Sequence, residues 1–200
     1  PKLVELQEHV EVDEFRLADL VAQTLTAELA SLAPGASYAV LVDSGGLGRS
    51  TLKMLQEKHR LRNLYGIDAA ESPVREREFH RMRDELWWEL REAFMESKEI
   101  GIENDPDRRQ KIQKSDDLIA QLTSIKWGLV ELNGRTRTKV QGKGSSSGIP
   151  NVKPLTHSPN QADALCLAWR GYKHYCSSVP HQFRSRGGFV RERVASWKTL

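Results

Sequence analysis

The sequence predicts an α/β domain in which helices cover a sheet, and three observations carry that expectation. Short apolar runs at residues 38–42 and 64–67 read as strands, the first buried on both faces. Helical stripes precede, separate and follow them, giving the order strand, helix, strand, helix, strand. Further on, Asn133-Gly134 joins two strand-like runs, the strongest short signal for a hairpin.

Each element has a local reason. Residues 3–12 alternate imperfectly, with Val4, Leu6, Val10 and Val12 against Glu5, Glu8 and Glu11, and predict a strand. The chain opens inside that strand, so the domain is expected to begin upstream. Asp13 is placed to cap a helix to about residue 33, whose stripe is Leu17, Leu20, Val21, Leu25, Leu29 and Leu32. Pro34-Gly35 ends it. The run 38–42 stops at Asp43, and Ser44-Gly45-Gly46-Leu47-Gly48 turns the chain into a helix to about residue 59. A charged helix over about 75–97 buries Phe79, Met82, Leu86, Leu90 and Phe94, while Trp87 and Trp88 beside that stripe read as core and edge packing. Ser115 caps a helix bearing Leu118, Ile119, Leu122 and Ile125. The hairpin spans 127–132 and 135–141, and the Gly/Ser-rich residues 142–156 read as a flexible loop. Ser158 or Pro159 starts a last helix through about Arg170. Residues 1–175 thus form one domain, followed by a basic tail over 176–200.

Composition bounds the function classes. With 200 residues, 38% hydrophobic and 28% charged, the chain can bury a core and is not of disordered type. No apolar run nears the roughly 18 residues that span a bilayer, and the first residues do not form a signal peptide. Cys166 and Cys176 lack Cys-x-x-Cys spacing, which points to free thiols in a reducing cytoplasm and away from zinc. A net charge of +3 does not establish a nucleic-acid partner. However, Arg184, Arg186, Arg191, Arg193 and Lys198 stand against Glu192 alone, a tail suited to phosphates or simply to water.

Three positions carry candidate chemistry. Asp43, at the carboxyl end of a buried strand and followed by glycines, stands where open α/β sheets bind ligands. It also fits a helix cap; the G-x-G-x-x-G and P-loop patterns match poorly, the latter lacking its lysine. Asn160 and Asp163 share a helix face, and Asp163 lies among Ala162, Ala164 and Leu165, where a charge needs a partner or a metal. The competing reading is an exposed acid favouring the helix N-terminus. Lys143 could neutralise a phosphate or merely be solvated, and His157 precedes the last helix as a titratable or flanking group.

Taken in order, these segments resemble the nuclease domain of the large terminase subunit of tailed phages. The residues that carry the resemblance are Val40-Leu41-Val42-Asp43-Ser44-Gly45-Gly46-Leu47-Gly48, Leu64-Tyr65-Gly66-Ile67, the helix with Arg83-Asp84-Glu85-Leu86-Trp87-Trp88, the hairpin ending near Lys143, and Ser158-Pro159-Asn160-Gln161-Ala162-Asp163-Ala164-Leu165. The resemblance implies an RNase H-like fold, a mixed central sheet flanked by helices with a β-hairpin near the C-terminal catalytic helix. It implies cleavage of concatemeric double-stranded viral DNA by two-metal hydrolysis with Mg²⁺ or Mn²⁺. Asp43 and Asp163 then match metal-holding acids and Lys143 a nearby lysine, while Asn160 stands where many relatives carry a further acid. The family's first acid lies on a strand ahead of residues 3–12 and has no counterpart in the chain. Implied partners are an N-terminal packaging ATPase domain, the portal and procapsid, and the small terminase subunit; the implied compartment is the cytoplasm of the infected bacterial host. The alternatives are a catalytically incomplete DNA- or portal-docking module, or another RNase H-like nuclease such as a junction resolvase, with a Rossmann-like nucleotide binder last.

Overall fold

The computed structural model describes residues 2–7, 9, 13–31, 36–46, 48–95, 100–102, 115–143, 145–176 and 193–196. Its elements run β1 (Lys2–Leu6), α1 (Glu14–Ser31), β2 (Val40–Asp43), α2 (Gly48–Glu57), β3 (Leu64–Ile67), α3 (Met82–Met95), β4 (Gly101–Ile102), α4 (Ser115–Ser124), β5 (Trp127–Leu132), β6 (Arg135–Val140), α5 (Asn160–Gly171), a π-helical turn (Tyr172–Cys176) and β7 (Arg193–Ser196). The mixed α/β order is the expected one. Hydrogen bonding groups these strands into three short sheets, β4-β1-β7, β2-β3 and β5-β6, parallel except for the hairpin.

Strand β2 organises the interior. Its side chains alternate, so Val40 and Val42 pack with Leu17, Ala18, Val21 and Leu55 of α1 and α2, whereas Leu41 joins Leu86, Leu90, Leu165 and Trp169 of α3 and α5. This is why a continuous apolar run was needed there. Gly171 lets α5 approach closely, since a Cβ on it would lie 2.9 Å from Leu41 Cδ1.

The ends of α1 and the hairpin follow local chemistry. Asp13 caps α1, its Oδ1 accepting the Arg16 N–H at 2.7 Å. Asn133 and Gly134 take φ of 52° and 70°, the left-handed pair that a type I′ turn demands.

Several expectations are corrected. The first strand ends at Leu6 and does not continue through Gln7 and His9. The charged helix begins at Met82, not near residue 75. Asp84 Oδ2 accepts the Arg81 N–H at 2.9 Å, half of a capping box, and so starts the helix there. Phe79, although in phase with the helical stripe, forms a bridge to Thr138 and adds an edge to the hairpin. Ile119 lies exposed, outside the buried stripe of α4. The Gly/Ser-rich segment nevertheless carries specific hydrogen bonds over residues 145–152. Buried Ser147 lies 2.6 Å from the Val152 carbonyl and accepts the Ile149 N–H, while Gly142 donates to the Ser147 carbonyl. Finally, Arg193–Ser196, read as tail, forms a strand parallel to β1. Cys166 and Cys176 are free thiols, as expected. Among the described residues, no helix is long and apolar enough to cross a membrane.

Candidate active site

Strands β2 and β3 are parallel and in register, with Asp43 opposite Ile67. Both therefore release an aspartate at the same edge, Asp43 on the last residue of β2 and Asp68 one residue beyond β3. Asp43 follows Leu41 by two and so leaves on the face packed by α5. The turn between these acids is tight: a Cβ on Gly45 would lie 3.1 Å from Asp43 Oδ1 and 3.7 Å from Asp68 Oδ1. Each carboxylate accepts one backbone N–H, Asp43 from Gly45 at 3.0 Å and Asp68 from Ala70 at 2.8 Å.

Helix α5 brings the third acid. Its N-terminal turn lacks a side-chain cap of its own, and Gln121 of α4 substitutes. Gln121 Oε1 accepts the N–H groups of Gln161 and Ala162 at 3.0 and 3.1 Å, satisfying donors that a helix start leaves open. Asp163, three residues into the helix, is held by α3. Trp87 Nε1–H donates to Asp163 Oδ1 at 2.7 Å, and Arg83 Nε lies 3.4 Å from the same oxygen. Arg83 is itself anchored, donating to the Gln141 carbonyl at the end of the hairpin at 3.1 Å and lying 5.5 Å above the Trp87 ring. Both contacts fall on Oδ1; among the described residues none engages Oδ2.

Charge in this cleft is poorly balanced. Asp43 is exposed by surface area, yet enough protein surrounds its carboxyl that partial burial raises it above the usual carboxylate range. The negative charges of Asp163 and Asp68 push in the same direction, and the Gly45 N–H and the Lys143 ammonium oppose them. Lys143 is tied to the head of α5 through Ser158 Oγ.

Of the residues singled out from sequence, Asp43, Asp163 and Lys143 thus share one electrostatic neighbourhood. Asn160 opens α5 on the Asp163 face. His157 is exposed and meets the Thr156 hydroxyl at 3.0 Å. Arg193 lies in β7, and Arg184, Arg186 and Arg191 lie outside the described residues. Asp68 and Arg83 were missed. Asp68 repeats the signal that identified Asp43, an acid directly after a short strand. A buried Trp87 also has an indole N–H that requires an acceptor, which core packing alone does not supply.

Whether the donors fit a divalent ion has a divided answer. Carboxylates whose charge is only partly offset suit Mg²⁺ or Mn²⁺, and Mg²⁺ is commonly held by one or two carboxylates with water completing its shell. Asp43 and Asp163 supply that minimum. Among the described residues, however, no three His, Cys, Asp or Glu side chains gather closely enough to hold a metal.

No protein-family model matches the chain, and no curated protein matches it either. A structural likeness does exist. The chain is similar to a mutant nuclease domain of the large terminase subunit of bacterial virus Sf6, solved with manganese and β-thujaplicinol, at 20% identity and a TM-score of 0.55, covering 84% of this chain and 77% of that one. The chain therefore shares the mixed α/β fold of that nuclease domain.

Proposed function

We propose that this chain is the nuclease domain of a phage DNA-packaging terminase, a metal-dependent endonuclease on concatemeric double-stranded DNA. The observation that carries the reading is the convergence of Asp43, from the end of a buried strand, with Asp163, clamped on the facing helix by Trp87. The Sf6 likeness supports it through fold, and its manganese supports a divalent cofactor.

In this reading Asp43 and Asp163 hold one Mg²⁺ or Mn²⁺, with Asn160 offering a carbonyl oxygen nearby. The ion, when bound, polarises a phosphoryl oxygen and eases ionisation of water. Trp87 and Arg83 fix Asp163 through Oδ1 and leave its other oxygen for the cleft. Lys143 places a positive charge where a phosphodiester would lie, and its bond to Ser158 keeps that charge at the head of α5. Two-metal hydrolysis needs a further acid besides Asp43 and Asp163. The basic residues Arg184, Arg186, Arg191 and Arg193 would add phosphate contacts. In the intact protein the partners would be a packaging ATPase domain, the small terminase subunit and the portal of the procapsid, in the host cytoplasm.

Supercoiled plasmid incubated with this chain and Mn²⁺ tests this. Nicking and linearisation are expected, abolished by chelation and by Asp43→Ala or Asp163→Ala. Cutting that survives Asp43→Ala contradicts the assignment. A second reading, a DNA-docking module without catalysis, is favoured by the lack of a three-ligand cluster among the described residues. It predicts DNA binding with no Mn²⁺-dependent cutting.

A further inference from the structure

Strand β6 carries Arg135, Arg137 and Lys139 at alternate positions, so all three leave one face of the hairpin. The register places Leu132, Val130 and Gly128 across from them, which means that no acid on β5 offsets the row. The other edge of β6 is lined by the segment before α3, where His80 N–H donates to the Thr138 carbonyl at 3.2 Å and Thr138 N–H to the Glu78 carbonyl at 2.7 Å. With Phe79 turned into the core, His80 falls beside the cations. Burial lowers its imidazole below the usual range and Lys139 lowers it further; Asp84 opposes them, and Arg81 and Arg137 add smaller downward contributions. Asp84 is already spent on the backbone N–H groups of Arg81 and Val140. Among the described residues, Arg81, Arg135, Arg137 and Lys139 make no ion pair, and the enclosed Nε of Arg137 has no hydrogen-bond acceptor.

We propose that the unpaired row Arg135, Arg137 and Lys139 is a track for the phosphate backbone of duplex DNA, separate from the acidic cleft. The chemistry favours a polyanion with regularly spaced charges. Alternate strand positions put the three side chains over about 14 Å, comparable with roughly four nucleotides of one DNA strand at ~3.4 Å each. Beyond Lys139 the chain leads to Lys143 and Ser158 at the head of α5, so DNA on the track would continue toward Asp163. This inference rests on reading the chain as a DNA-acting domain.

Anisotropy titration of a labelled duplex, without added metal and from 50 to 200 mM salt, tests it. For the full chain the slope of log affinity against log salt should fall by about 0.9 for each of Arg135→Gln, Arg137→Gln and Lys139→Gln, and by about 2.7 for the triple variant. Two unrelated duplex sequences should respond equally, Arg137→Lys should restore the slope, and polyglutamate should compete poorly. Thermal melting of each variant shows whether the fold persists. A folded triple variant with an unchanged slope, or polyglutamate binding as tightly as duplex, overturns the proposal. Because no cutting is read, a protein that binds along the track but never cleaves fails only the catalytic reading, and one that cleaves with an unchanged slope fails only the track.

Discussion

Helices α3 and α5 face each other with two groups of carboxylates between and beside them, and the groups are treated oppositely. Glu85 and Glu89 are almost wholly buried and neutralised. Arg170 donates to Glu85 at 3.2 Å and to Glu89 at 2.8 Å, with Lys173 and His174 also turned toward Glu89. Two turns away along α5, Asp163 meets Trp87 and Arg83 on one oxygen and faces the like charge of Asp43, which also lies beside Asp68. The first group closes its electrostatics within the chain and fastens the two helices. The second leaves negative charge in excess at a strand edge, an arrangement that costs stability unless a cation joins it. The difference separates carboxylates paired inside the helix interface from carboxylates whose charge is only partly offset.

The largest expected effect breaks the closed group. Arg170→Met strands two buried carboxylates and should cost about 3–5 kcal/mol, read as a melting temperature lower by roughly 10 °C. Glu89→Gln should cost less, about 2 kcal/mol, because Glu85 still faces Arg170. Its pH dependence gives a sharper test. Burial opposes the Glu89 charge, but Arg170, Lys173 and His174 outweigh it and hold the carboxyl below the usual range. That stability is therefore present above the unfolded value near ~4.3 and is lost as pH falls through the folded one. Urea melts of wild type and Glu89→Gln should differ at neutral pH and converge in acid.

Trp87→Phe keeps an aromatic ring and removes one donor to a partly solvated carboxylate. A loss of about 1.5 kcal/mol is expected by the same melts, smaller than for either charged variant. The smallest thermal effect should have the opposite sign. Since Asp43 has a raised folded value, its ionisation destabilises the fold as pH rises through that value. Asp43→Asn should melt slightly higher than wild type at neutral pH, lose that advantage in acid, and have no cutting activity. A lower melting temperature at neutral pH would mean that the Asp43 charge is compensated.

Much of this contrast was legible in the amino-acid order. Val40 to Asp43 announced a doubly buried strand ending in an acid, Asn133-Gly134 announced the hairpin, and Asn160 with Asp163 announced one helix face. What was not legible depends on pairing between distant segments. Phe79 lies at helical spacing from Met82 and Leu86, and only the capping carboxylate of Asp84 and the bridge to Thr138 exclude it from the helix. Asp68 becomes a neighbour of Asp43 only once β3 is aligned beside β2. Ser147 sits in a composition that usually means a linker, and its three backbone contacts come from chain reversal that no local pattern encodes.

The central claim is that Asp43 and Asp163, on different elements, act together on a divalent cation. Calorimetric titration of Mn²⁺ into the chain, alongside Asp43→Asn and Asp163→Asn, tests it most directly. The account predicts one binding event in wild type that disappears in both folded variants. Binding by either variant with wild-type affinity would contradict it.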